Sequence, residues 1–293
     1  APPPRLVLSG LRPDTLRLWT FVGSFRTSHP EWVSLPEHFK ASGYAPVLGG
    51  GKTFHPGRPK NWDEPRSWTQ EMPYFAFFEP GCPTNQTLEP GSNGYTHSVC
   101  PSDDPLDTFF DHQLANHTIA ALQLARDQQR RQRTSGDSGS GAHGSGDGGG
   151  GGDGVVRPFF IAAGFRRPHL PWRMPRRYWD MFAGGDDGDG GTNHAVLPPA
   201  HPTAPSGMPE VAWTCGDRCS WELANRSVYN FTLQQPAGAP LAVVLRRAYL
   251  AATAFMDAEV GRVLAAVDDL GFRNDTLVVL HGDHGWGLGE GNF

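Results

Sequence analysis

The chain has 293 residues, 38% of them hydrophobic and 11% aromatic, enough apolar bulk for a packed core and against wholesale disorder. Its 25 Lys and Arg against 30 Asp and Glu give a net charge of −5, which lends no support to a nucleic-acid partner or an anionic membrane surface. No apolar stretch of about 18 residues is present, so no helix is expected to span a bilayer. The 37 Gly and 27 Pro exceed ordinary usage and predict long loops or low-complexity inserts.

Taken in chain order, Ala1-Pro2-Pro3-Pro4-Arg5 reads as a proline-rich tail and Ser9 to Thr15 as a turn. Ser34–Gly43 predicts a short helix, with Pro36 in its first turn and Gly43 as its stop. Tyr44–Leu48 predicts a short strand running into Gly49, Gly50 and Gly51. Asn61–Pro101 predicts an ordered loop region. The spacing of Phe110, Leu114, Ile119, Leu122 and Leu124 predicts a helix from Asp107 to about Arg133. Thr134–Gly154 is almost wholly Gly, Ser and Asp and predicts a flexible insertion; Gly184–Gly191 predicts a second, shorter tract. Pro158–Phe165 is a continuous apolar run, expected to be a strand buried on both faces. Leu241–Leu270 carries apolar residues at three-four spacing throughout and predicts a long helix ended by Gly271. Thr276–Leu280 is expected to be a buried strand delivering His281 to Gly285 at its carboxyl end. Helices alternating with apolar strands predict an α/β fold, a large mostly parallel sheet flanked by helices. Ligands of such sheets sit beyond the carboxyl ends of the strands.

Three polar clusters follow apolar runs. Lys52 and His55 lie three residues apart after the first; lysine supplies a point charge, histidine a proton transferable near neutral pH. A solvated turn is the plainer reading, and the spacing is not that of a phosphate-binding P-loop. His169 stands between Pro168 and Pro171 among Arg166, Arg167 and Arg173, which suits a rigid imidazole beside an oxyanion or, equally, a basic surface loop. Asp283 and His284 between glycines suit metal ligation or acid–base work. Trp62, Trp68 and Trp172 fit either sugar stacking or packing.

Four cysteines form two local pairs, Cys82 with Cys100 and Cys215 with Cys219, expected to be disulfides. Cys215-Gly-Asp-Arg-Cys219 also fits a metal or redox pair. Asn-x-Ser/Thr sequons occur at Asn85, Asn116, Asn225, Asn230 and Asn274. Together these favour a secretory route, lysosomal or extracellular, over a cytosolic chain with free thiols.

In order, Ser9-Gly-Leu-Arg-Pro-Asp-Thr15, Gly51-Lys-Thr-Phe-His-Pro-Gly57, the run from Pro158 to Pro171 and the run from Leu277 to Glu290 resemble the sulfatase family, and most its iduronate-2-sulfatase branch. The helical stretch Ala254–Leu264 fits as well, so the likeness covers nearly the whole chain outside the Gly-rich tracts. It implies a sheet like that of alkaline phosphatase and a formylglycine nucleophile made from Cys in Cys-x-Pro-x-Arg by a formylglycine-generating enzyme. It further implies a divalent cation, normally calcium (Ca2+), and a sulfated saccharide such as a glycosaminoglycan as substrate. By motif, Asp283 and His284 are expected as metal ligands, Lys52 and His55 as groups positioning nucleophile and sulfate, His169 as sulfate ligand or proton donor, and Arg5 as the arginine of the nucleophile motif.

The chain starts at Ala1 with no signal segment, so residues 1–293 read as a partial catalytic domain. The nucleophile is expected either just before Ala1 or replaced by it, and the first metal Asp pair of the family has no counterpart. Residues 1–293 alone are therefore expected to be inactive. Two other readings stay open: a relative that binds sulfated polysaccharide without cleaving it, and a phosphate-ester hydrolase of the same superfamily.

Overall fold

Serine at a helix start accepts a bond from an otherwise orphaned backbone N–H, and Ser34 does this in a computed structural model of the chain. Its Oγ accepts from the Glu37 amide at 3.2 Å, while its own amide donates to Glu37 Oε2 at 3.2 Å. The structure describes residues 8–18, 23–76, 82, 99–137, 156–186, 192–193, 195–209, 212 and 235–292. By its own contacts the chain falls into two compact units: Ala1–Phe77, Leu114–Phe165 and Gly261–Asp283 form the first; Phe78–Gln113, Arg166–Val260 and His284–Phe293 form the second.

Short helices α1 (Pro13–Leu16) and α2 (Phe25–Ser28) precede α3 (Leu35–Ala41), the helix capped by Ser34. Strand β1 (Val47–Gly51) follows, then β2 (Val99–Ser102), the long helix α4 (Phe110–Asp137), β3 (Phe160–Gly164), β4 (Trp172–Pro175) and the one-turn α5 (Arg176–Asp180). Two-residue strands β5 (Gly185–Asp186) and β6 (Thr192–Asn193) come next, then helix α6 (Ala239–Asp269). The architecture is mixed α/β. β1 pairs in parallel with β3, Val47 opposite Phe160 through Gly51 opposite Gly164, and β2 pairs in parallel with β4. β5, inside the Gly184–Gly191 tract expected to be flexible, pairs antiparallel with β6 just beyond it.

In the first unit the core gathers Leu16, Phe25, Val47, Phe54 and Trp68, and Phe39 of α3 stacks on Phe160 of β3 at 4.6 Å. A second cluster there joins Leu122 and Ala125 of α4 to Val267 of α6 and to Phe272. In the second unit Val99, Phe109, Trp172, Met174, Ala248, Ala252 and Phe255 are buried together, which is the apolar stripe foreseen for the long helix.

Four expectations change. The first strand runs Val47–Gly51, not Tyr44–Leu48, because the glycines admit neighbours that a side chain would exclude. A Cβ at Gly49 would lie 2.4 Å from the Trp68 ring, and one at Gly50 2.9 Å from Phe75 Cβ. β3 is half-buried, not buried on both faces. Helix α4 continues past Arg133 to Asp137 because backbone bonds carry it into the polar tract. Thr276–Leu280 forms no strand: Leu277, Val278, Val279 and Leu280 are 88%, 51%, 73% and 74% exposed. A strand exists only through pairing, and this run has no backbone partner among the described residues.

Against Gly50 lies half-buried His117 of α4, whose Nε2 is shielded and has no hydrogen-bond partner among the described residues. Burial pushes its imidazole below the ordinary histidine value. The folded state then binds fewer protons than the unfolded, so this group subtracts stability as pH falls through 6.5. His117→Leu is expected to stabilise the chain by about 1 kcal/mol at pH 7 and by more at pH 5. Thermal melts at both pH values check this; equal pH sensitivity in variant and wild type would refute it.

Candidate functional site

Lys52 leaves the carboxyl end of β1, and its amide donates to the Gly164 carbonyl at 2.6 Å. The chain can turn there because Gly51 takes a φ of 67°, left-handed backbone that glycine tolerates. Thr53 Oγ1 donates back to the Gly50 carbonyl at 2.7 Å, and Phe54 is fully buried. His55 follows at the surface end of this turn, its Nδ1 3.1 Å from the Pro56 carbonyl. Lys52 Nζ lies 3.4 Å from Asp283 Oδ2, with side-chain exposures of 19% and 28%. A cation and a carboxylate separated by 231 positions thus meet in the first unit, at the end of β1.

His169 belongs to the second unit. Its Nδ1 sits 2.7 Å from the Leu170 carbonyl. A carbonyl only accepts, so Nδ1 holds the hydrogen and Nε2 is the nitrogen through which a proton can be exchanged. The Trp286 ring stands edge-on to the imidazole at 6.3 Å. The arginines around His169 brace the loop. Arg167 Nε donates to the Arg173 carbonyl at 2.8 Å, and Arg173 reaches the Thr108 carbonyl at 3.0 Å and Asp104 at 2.8 Å. Arg166 Nη2 donates to the Leu170 carbonyl at 3.1 Å. His284 also lies in the second unit and is exposed.

Sequence reasoning missed Asp111. It is 1% exposed and accepts the amides of Arg166 at 2.6 Å and Arg167 at 3.2 Å, the entry to the loop bearing His169. An acidic residue in the first turn of α4 was visible, but acids are ordinary there, so the sequence offered no contrast. It also passed over Tyr74, whose hydroxyl donates to the Gly51 carbonyl at 2.8 Å and accepts from the Phe54 amide at 3.2 Å.

Among the tryptophans, Trp68 and Trp172 are 1% and 3% exposed and serve packing. Trp62 stacks on Tyr74 with ring centroids 5.7 Å apart. Cys82 and Cys100 form the expected disulfide, their Cα atoms 5.7 Å apart. Asn116 is exposed on α4 and its Oδ1 accepts from Arg262; Asn274 is exposed in a turn. Arg5, Cys215, Cys219, Asn85, Asn225, Asn230 and most of Thr134–Gly154 lie outside the described residues.

Calcium takes six to eight oxygen ligands. Among the described residues no group of three or more His, Cys, Asp or Glu side chains converges, and the Asp283 carboxylate faces an ammonium. That donor set does not by itself hold a hard cation.

Residues 154–293 match the family model described as Sulfatase. The chain is 30% identical to iduronate 2-sulfatase of Homo sapiens over 299 residues, which cover 97% of this chain and 46% of that protein. It is 29% identical to the Mus musculus iduronate 2-sulfatase, covering 45% of it, and 25% identical over 300 residues to a sulfatase of Formosa agariphila, covering 49%. The chain spans about half the length of the curated relatives it matches. The likeness runs through 97% of its residues, with ordered motifs at Lys52, His169 and Asp283, and the family it supports is the sulfatases.

Proposed function

We propose that the protein hydrolyses a sulfuric ester on a sulfated saccharide, as the resemblance to iduronate 2-sulfatases suggests. The observation that carries this reading is the meeting of Lys52 and Asp283 at the end of β1, each within a family-like motif. The anionic sulfate group of the ester, and the sulfate dianion released from it, gain from a fixed ammonium in a partly buried setting, where screening is weaker than in bulk water. Lys52 and His55 bind and orient the sulfate oxygens. By motif His169 is assigned the proton donor: as the imidazolium it would give the Nε2 proton to the alkoxide as the S–O bond breaks and be left neutral, with its remaining hydrogen on Nδ1 against the Leu170 carbonyl. Arg5 is assigned to the nucleophile motif.

Asp283 and His284 are proposed as two ligands of a divalent cation, which would polarise the sulfate; further oxygen donors are required to hold it. No Cys-x-Pro-x-Arg occurs in residues 1–293, so the formylglycine and the enzyme that makes it belong to a proposal about the whole protein. A lysosomal or extracellular protein glycosylated at Asn116, Asn274 and the other sequons accords with the disulfide.

Calorimetric titration with inorganic sulfate tests the binding step. Residues 1–293 are expected to bind sulfate without turning over an aryl sulfate. Lys52→Ala is expected to weaken binding about 10- to 100-fold, the worth of a charged hydrogen bond. Tight binding of phosphate with none of sulfate would move the reading to phosphate esters, and sulfate binding indifferent to Lys52→Ala would end it.

A further inference from the structure

We infer that Tyr74 is the positioning residue of the Lys52–His55 turn, holding its sulfate-binding side chains in register by bracketing the backbone between Gly51 and Phe54. The inference rests on the proposed function and names the part that orients its site. The tyrosine hydroxyl makes both bonds at once: it donates to the Gly51 carbonyl at 2.8 Å and accepts from the Phe54 amide at 3.2 Å. Lys52 and Thr53 are the only residues between those two anchors. The turn is thus pinned on both sides of the lysine by one oxygen atom.

The ring that carries this oxygen is itself fixed. Tyr74 is 8% exposed, and its amide donates to Glu64 Oε1 at 2.9 Å. Trp68 packs against the ring at 5.5 Å, and Trp62 lies nearly parallel to it at 5.7 Å with an interplanar angle of 14°. Burial pushes the phenol's ionisation well above its ordinary range, so the hydroxyl keeps the hydrogen it donates.

Trp62 holds its place through a strained backbone. Asn61, Trp62 and Asp63 take φ values of 55°, 46° and 66°, three consecutive left-handed residues, none of them glycine. Such positions persist only where surrounding contacts over-determine them. Here Arg26 grips the Asp63 carboxylate twice, Nε at 2.7 Å and Nη2 at 2.6 Å, Ser67 donates to the same carboxylate, and the Trp62 carbonyl accepts from Trp68 Nε1 at 2.8 Å. The strain is spent on setting an indole against Tyr74. A turn that merely closed a surface loop needs none of this apparatus.

The experiment uses residues 1–293 and Tyr74→Phe, which deletes one oxygen, with inorganic sulfate as the probe. Amide hydrogen exchange at Phe54, sulfate affinity, and the sulfate-induced NMR shift of the His55 ring are read well below the melting temperature. Phe54 exchange is expected to rise about 10-fold or more and the sulfate Kd about 10-fold, with the His55 response diminished. A purely structural tyrosine would lower the melting temperature and leave the Kd and the His55 response unchanged, which overturns the inference. If Tyr74→Phe does not fold, Trp62→Leu, which keeps the hydroxyl but removes its support, is expected to shift the same readouts less; no shift overturns the inference. Wild-type chain that binds no sulfate refutes the sulfate reading itself, and Phe54 exchange then decides the bracket alone: faster in the variant upholds it, unchanged overturns it.

Discussion

Gly164→Ala is expected to be among the most damaging single methyl additions in the first unit. A Cβ at this position would lie 1.9 Å from the Thr53 amide nitrogen, 2.4 Å from the Lys52 carbonyl carbon and 2.6 Å from the Lys52 amide nitrogen. These are backbone atoms, so no rotamer change relieves the overlap. The Lys52 amide also donates to the Gly164 carbonyl, and separating the two segments would break that bond as well. A loss of about 4 kcal/mol follows from combined overpacking and lost pairing, which for a chain of this size lowers the melting temperature by roughly 10 °C. Sulfate affinity should fall too, because the displaced segment carries Lys52. A melting temperature within about 2 °C of wild type would show that the β1–β3 end is loose enough to admit a methyl group.

Asp111→Asn is expected to release the loop bearing His169. The carboxylate uses one oxygen for the Arg166 amide and the other for the Arg167 amide, inside a site only 1% exposed. Asparagine offers a single acceptor, so its amide group would confront a backbone N–H. A buried donor left without its charged partner costs about 3 kcal/mol. The variant also loses a negative charge at the start of α4, where the helix end favours one. Urea unfolding gives the stability change, and the NMR signal of the His169 ring reports the loop directly. Wild-type stability with an unaltered His169 signal would show that the loop is held by its arginines alone.

The two predictions share a cause that explains what the amino-acid order revealed and what it hid. Signals that act over a few residues were legible. Pro36 in the first turn and Gly43 just past the end bound α3 as their types predict. The three-four spacing of α6 buries Ala248, Ala252 and Phe255. The pairing of Cys82 with Cys100 followed from proximity along the chain. The Lys52, His169 and Asp283 motifs were visible because each is a short run of unusual residues after an apolar one.

Long-range relations were not legible. Gly49 and Gly50 looked like the end of a strand and are its body, because Trp68 and Phe75 fill the space their side chains would take. Leu277–Leu280 looked like a strand and is not one, since pairing is supplied by other segments and cannot be encoded in the run itself.

The sequence by itself determined the caps, the helical stripes, the local disulfide and the family motifs, because each rests on torsional preference or on spacing within a turn or two. Only the tertiary structure decided that Lys52 meets Asp283 across 231 positions, that Asp111 holds the His169 loop and that Tyr74 pins the turn beside Lys52. Such meetings depend on how distant segments pack, and packing is a property of the whole chain, settled by which buried groups find partners.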